Sequence, residues 1–244
     1  MHAQLIDRLH ADGAKAIGFD VMFSEPQKED LAADRLLADA MARAGNVVLP
    51  VVIEKVRSNG QLVETLPLSP LVRHAAALGR VHAELDADTI ARSITLWEGL
   101  DQPVWPHFAQ AMLTVAGQLP VPFSRHAPQV PGQGVAMLTK LDQRYINFST
   151  AQRHLHSLSY LQVLGGEFRP DTFRGKLVLV GSTASGMADS LPTPVSGLRQ
   201  PMAGVEFLAN AMVSIRSQTL ITRAPLWLST LLACTLALMP MLWL

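Results

Sequence analysis

The 244-residue chain carries 20 Lys+Arg against 20 Asp+Glu, a formal net charge of +0, with 49% hydrophobic and 16% charged residues. So balanced a charge leaves no basic footprint for a phosphate backbone, which excludes a nucleic-acid role. The single cysteine, Cys234, excludes an intramolecular disulfide and any zinc cluster built on a cysteine pair.

Residues 4–14 place Leu5, Ile6 and Leu9 at helical spacing, with Gly13 as a stop signal. Asp7, Arg8 and Asp12 rule this stretch out as a signal peptide, and the chain reads as truncated at its N-terminus. Residues 15–23, KAIGFDVMF, are an apolar run suited to a buried strand, broken by Ser24-Glu25-Pro26. The stripe Leu31, Leu36, Leu37 and Met41 predicts a helix over 29–44, ended by Gly45-Asn46. A second buried strand follows over 47–53, and strand–helix–strand order implies parallel pairing through a right-handed crossover.

The middle is less regular. Ser58-Asn59-Gly60 marks a turn between hairpin strands, and 71–78 reads as a short helix. Strands are expected over 79–85 and 90–97, joined by Asp86-Ala87-Asp88-Thr89. Pro106 suits the first turn of a helix over 106–118, and the Pro- and Gly-rich 119–134 is a loop. Strands over 135–138 and 144–148 follow, then a continuous apolar strand over 177–180. Two loops, 181–189 and 190–201, lead to a helix over 204–220. Residues 226–244, LWLSTLLACTLALMPMLWL, contain no charged residue and reach roughly 28 Å as a helix, close to a bilayer's hydrocarbon thickness. Trp227 and Trp243 sit at the two ends, and Pro240 is tolerated in membrane helices. This stretch is expected to span a lipid bilayer.

Several residues could carry chemistry. The loop GSTASGMAD, 181–189, could cradle an anion on its amides or be only a tight connection after a strand. It is neither a Walker loop, lacking the Lys-Ser/Thr pair, nor a nucleophile elbow, lacking Gly-x-Ser-x-Gly. Asp20, Asp189 and Glu206, at strand ends and a helix start, could meet to bind a cation or an amine, or could each bind backbone amides. His154 and His156 have strand spacing for one face, with no further ligand in the motif, so no metal site is assigned. Asn147 could touch a ligand or fix its own turn. No catalytic residue and no cofactor are assigned. A membrane-anchored hydrolase using Ser182 or Ser185 would need a histidine beside one of them.

In order along the chain, AIGFDVMFSEP (16–26), VVLP (47–50), YINF (145–148), GKLVLVGSTASGMAD (175–189), Thr193-Pro194 and PMAGVEFLANAM (201–212), followed by an apolar span, resemble the type-2 CHASE domain, a sensory extracellular domain of bacterial receptors. The resemblance implies a periplasmic or extracellular ligand sensor on the bacterial inner membrane, with cytoplasmic output from a nucleotide cyclase, histidine kinase or cyclic-di-GMP enzyme. Such receptors are dimers by analogy. The family's opening anchor, an apolar strand ending in Ile-Asp and a Trp-Pro-Arg-like turn are missing here. Where the family often has Asp-x-Asp-Gly and then Arg, this chain has Asp86-Ala87-Asp88-Thr89 and Arg92, which argues against a positive-φ turn. Arg216 and Arg223 precede the apolar span, and the positive-inside rule would set them in the cytoplasm, against the family's topology.

The expected architecture is an α/β domain over 1–223, its central sheet mainly parallel with helices on both faces, followed by a C-terminal transmembrane helix over 226–244. The expected function is non-enzymatic ligand sensing coupled to an output enzyme outside this segment. The candidate contacts for an unidentified small molecule are Asp20, Phe23, Ser24, Asn147, Ser182, Thr183, Asp189, Glu206 and Asn210. The rival is a periplasmic structural or interaction module that binds no small molecule.

Overall fold

The computed structural model describes residues 1–28, 30–55, 61–119, 137–148, 155–184 and 190–238. Helix α1 (His2–Ala11) leads through Gly13, at φ +84°, into strand β1 (Ala16–Phe19). Helix α2 (Leu31–Ala44) starts at Asp30, whose carboxylate accepts the Ala32 N–H at 3.1 Å, and stops at Gly45, at φ +66°. Both ends follow the sequence signals, a side-chain cap and a left-handed glycine. Strand β2 (Val47–Lys55) and strand β3 (Leu62–Thr65) pair antiparallel, and the turn expected at 58–60 lies outside the described residues.

Helix α3 (Ser69–His74) precedes strand β4 (Ala77–Arg80), and β5 (Glu84–Leu85), β6 (Ala91–Leu100) and β7 (Trp105–Pro106) follow. Then come helix α4 (Phe108–Val115), strand β8 (Leu138–Tyr145), helix α5 (Tyr160–Gly165) and strand β9 (Leu177–Val180). The short β10 (Ser190–Leu191) and β11 (Met202–Ala203) pair at the start and just past the end of the expected loop 190–201, and α6 (Gly204–Arg216) and α7 (Leu226–Leu238) close the order.

The central sheet runs β3-β2-β1-β9, with β4 also on β2. It is mixed, not mainly parallel as expected. The reason is the length of β2. Its first half, from Val48 to Val51, pairs in parallel with β4, and its second half, from Val52 to Lys55, outruns that partner and pairs antiparallel with β3. A second sheet, β5-β6-β7 with β8 on β6, is antiparallel throughout. Here one strand, β8, links Leu138, the last residue of the strand expected over 135–138, to Arg144 and Tyr145, the first two of the strand expected over 144–148; residues 135–136 lie outside the described residues. β8 runs on through Lys140, Leu141, Asp142 and Gln143, a solvent-facing stretch without the apolar run that marks a buried strand, and Asp142 takes φ +62°. The strand expected over 79–85 is likewise split, β4 ending at Arg80 in one sheet and β5 starting at Glu84 in the other.

Alternate residues of the central strands face two cores, as pleating requires. Ile17, Val47 and Leu49 join Leu5, Ile6 and Leu9 of α1, Leu37 and Met41 of α2, and Leu71 of α3. Ala16, Val48 and Ala77 join Phe108 and Met112 of α4, and Phe207 and Leu208 of α6. Each large apolar side chain so buried contributes about 1.5–3 kcal/mol. Helices therefore cover both faces, as expected.

The membrane-spanning helix expected over 226–244 is described only as α7, 13 residues or roughly 20 Å. Among the described residues no helix is long and apolar enough to cross a membrane, and 239–244 lie outside them.

Candidate functional site

The carboxyl ends of β1, β2 and β4 open into a cavity of about 620 Å³, closed by β10 and the first turns of α6. Its walls are mostly apolar, including Val21, Val52, Leu191 and Phe207, and its ionisable lining residues are Asp20, Glu54, Arg80 and His82. Crevices outside the carboxyl ends of parallel strands are the usual ligand position in open α/β sheets.

Arg80 is the most constrained of these groups. Its Nε lies 3.0 Å from Glu98 Oε2, with side chains 3% and 1% exposed, so an ion pair joins the central sheet to the antiparallel one with almost no water. The terminal nitrogens donate to the Val81 carbonyl at 2.8 Å and the Ile53 carbonyl at 3.2 Å. Arg80 thus ties together β2, β4 and β6 at the point where β2 changes partner. Burial works against both charges, lowering the pKa of Arg80 and raising that of Glu98, while their mutual attraction opposes each shift.

A second layer of charge surrounds the pair. Lys140, opposite Glu98 across the β6–β8 ladder, contacts Glu84 and lies 3.7 Å from Glu98 Oε1. Glu84 also accepts the Thr95 hydroxyl at 3.2 Å and has His82 Nε2 at 3.8 Å. Burial, then the neighbouring Arg80 charge, pushes the His82 imidazole down to about 4. His107, 1% exposed, accepts the Ala109 N–H at Nδ1 (3.3 Å) and so caps α4. Burial, with His82 and Arg80 nearby, pushes it down to about 3. Both imidazoles are neutral at neutral pH.

Donor atoms of His82, Glu84 and Glu98 lie within 4.8 Å of one another, close enough to share a cation. The ammonium of Lys140 and the guanidinium of Arg80 already lie against those carboxylates. A metal ion would have to displace a charge belonging to the chain.

Of the eight candidate contacts among the described residues, Asp20 alone is placed on the cavity wall. Phe23 packs edge-on against Phe19 and the His2 ring instead. Ser24, Ser182, Thr183 and Glu206 are exposed. Asn147 is half-buried, and its carbonyl accepts the Ser214 hydroxyl at 3.3 Å. Asn210 is buried and donates to the Glu206 carbonyl at 2.8 Å, a bond within its own helix. Asp189, Ser185 and His154 lie outside the described residues, and His156 is exposed. Of the expected meeting of Asp20, Asp189 and Glu206, Asp20 lines the cavity and Glu206 is exposed at the start of α6, while Asp189 lies outside the described residues.

Sequence reasoning missed Arg80, His82, Glu84, Glu98 and Lys140. One signal was available. Arg80, His82 and Glu84 recur at every second position, which puts them on one face of an extended chain.

A family model described as "CHASE2 domain" matches residues 1–243. No curated protein and no solved structure matches the chain.

Proposed function

The chain belongs to the CHASE2 family, sensory extracellular domains of signalling receptors, and from that premise we propose that it senses a small molecule in the cavity at the carboxyl ends of β1, β2 and β4. The carrying observation is the cavity itself, with apolar walls and a few charged groups, the make-up of a small-molecule site. Occupancy shifts the population between two arrangements of the domain, which a cytoplasmic output enzyme reads across the membrane. Residues 226–244 hold the domain to a lipid bilayer, with 1–223 on the periplasmic side and two copies forming the working receptor. The exposed Trp227, Leu231, Leu232 and Leu236 of α7 support the bilayer contact.

A thermal-shift screen with a library of small metabolites tests the sensing reading. At least one compound raises Tm of the native chain and not of a Val52→Trp variant, in which indole fills the cavity. If every compound acts on both proteins alike or on neither, the domain is a structural or interaction module instead. A reporter fused after Arg223 tests the topology, and cytoplasmic activity would refute it.

A further inference from the structure

The cavity and the entry to α7 lie at different places in the fold, and the chain of contacts between them does not run only through α6. After α6 ends at Arg216, the backbone is held again at Ile221. The Ile221 N–H donates to the Tyr145 carbonyl and the Tyr145 N–H donates to the Ile221 carbonyl, each at 2.9 Å. Next to this bridge, Arg144 Nη1 donates to Thr222 Oγ1 at 2.8 Å. Tyr145 and Arg144 are the last residues of β8, and α7 begins at Leu226. The segment entering α7 is therefore fastened to the antiparallel sheet.

That sheet is joined to the cavity by charge. β8 lies along β6 from Leu138 to Tyr145, with Lys140 facing Glu98. Glu98 is paired in turn with Arg80, one of the residues that line the cavity. The contacts thus form an unbroken series: cavity wall, Arg80, Glu98 on β6, Lys140 on β8, Tyr145, Ile221.

Resting on the sensing reading above, we propose that Arg80, Glu98 and Lys140 form a charged clasp that transmits the state of the cavity through β8 to the segment entering α7. An occupant pressing on the Arg80 side chain shifts Glu98 and the β6–β8 ladder, because a buried guanidinium cannot leave its carboxylate without a large desolvation cost. The shift reaches Ile221 through paired backbone bonds, which transmit displacement better than flexible side chains.

Backbone hydrogen exchange of the full chain tests the clasp without a ligand. Ala83 lines the cavity, and Ala83→Phe fills part of it from the wall. This variant changes the exchange rates at Tyr145 and Ile221 by at least about threefold. The Ile17 amide, bonded to the Asn46 carbonyl at 3.0 Å in the central sheet, keeps its rate and reports an intact fold. In an Arg80→Met/Glu98→Leu background, where an apolar pair replaces the charges, the response at Ile221 disappears; a response of equal size there overturns the clasp. Lys140 has a side chain 36% exposed, so Lys140→Met leaves the fold intact. It accelerates exchange at Ile221 by at least about threefold, and an unchanged rate also overturns the clasp. No ligand enters either arm, so failure here leaves the sensing reading to be judged by the metabolite screen.

Discussion

His107 makes the folded domain sensitive to acid. Its folded-state pKa is pushed down to about 3 from the ordinary imidazole value of 6.5, because the ring is buried and faces His82 and Arg80. Below pH 6.5 the unfolded chain takes up a proton there that the folded chain refuses, so stability falls as pH drops from 6.5 towards 3. At pH 5 the loss is about 2 kcal/mol, from 1.36 kcal/mol for each pH unit below the unfolded pKa. His82, pushed down to about 4, costs stability in the same direction, and Glu98 and Glu84 are shifted up and down respectively, so the comparison must cancel all three. His107→Asn does this, because asparagine is a good N-cap for α4 and carries no titrating proton. Urea unfolding at pH 7 and pH 5 then gives a larger drop for the native chain than for the variant, by about 2 kcal/mol. Equal drops, within about 0.5 kcal/mol, would refute the assignment of a neutral buried imidazole.

Gly79→Ala lowers Tm by roughly 5 °C or more, since its Cβ would sit 2.6 Å from Phe108 Cα and α4 would have to move; an unchanged melting curve would show that the packing of α4 on β4 is looser than described. Thr89→Gly stabilises the chain by about 0.5–1 kcal/mol in urea unfolding, because a β-branched residue held at φ +62° is strained. Destabilisation by that change would mean Thr89 is relaxed in its turn. In lipid vesicles Cys234, exposed on α7, is shielded from a membrane-impermeant maleimide that labels it readily in detergent-free buffer after extraction. Equal labelling in both settings counts against the bilayer contact.

Helices α1, α2, α4 and α6 and the parallel strands β1, β2 and β9 were legible because each is a local pattern. In contrast, α5 was not anticipated, and the helix expected over 71–78 stops at His74, with 77–80 forming β4 instead. β9 matches its expected limits, as does the end of α2 at Gly45. The antiparallel sheet was only half legible. β8 presents a polar outer face, and its pairing partner β6 lies far away in sequence. The turn at 86–89 misled for a related reason. Loss of the family's glycine argued against positive φ, yet Thr89 adopts +62°. Arg92 bonds Asp86 at 2.8 Å and Asp88 at 2.7 Å, closing the loop by charge where glycine would have relaxed it. The site was the least legible part. Asp20 stood out as a carboxylate in an apolar strand, whereas Arg80 and Glu98 look like ordinary charges until folding buries them against each other.

A buried ion pair is weak evidence for stability, since well-packed apolar residues often do as well. What the pair between Arg80 and Glu98 adds is a charged link of fixed geometry between the two sheets, beside the apolar contacts they share through Trp105 and Ile94. The central sheet is locked by helices on both faces, whereas β8 leaves Lys140 to Gln143 open to solvent. Among the described residues, Ile221 is bridged to the antiparallel sheet at Tyr145, the last residue of β8. The entry to α7 is thus tied to the same sheet that the ion pair between Arg80 and Glu98 joins to the cavity wall, so one sheet touches both ends of the proposed path.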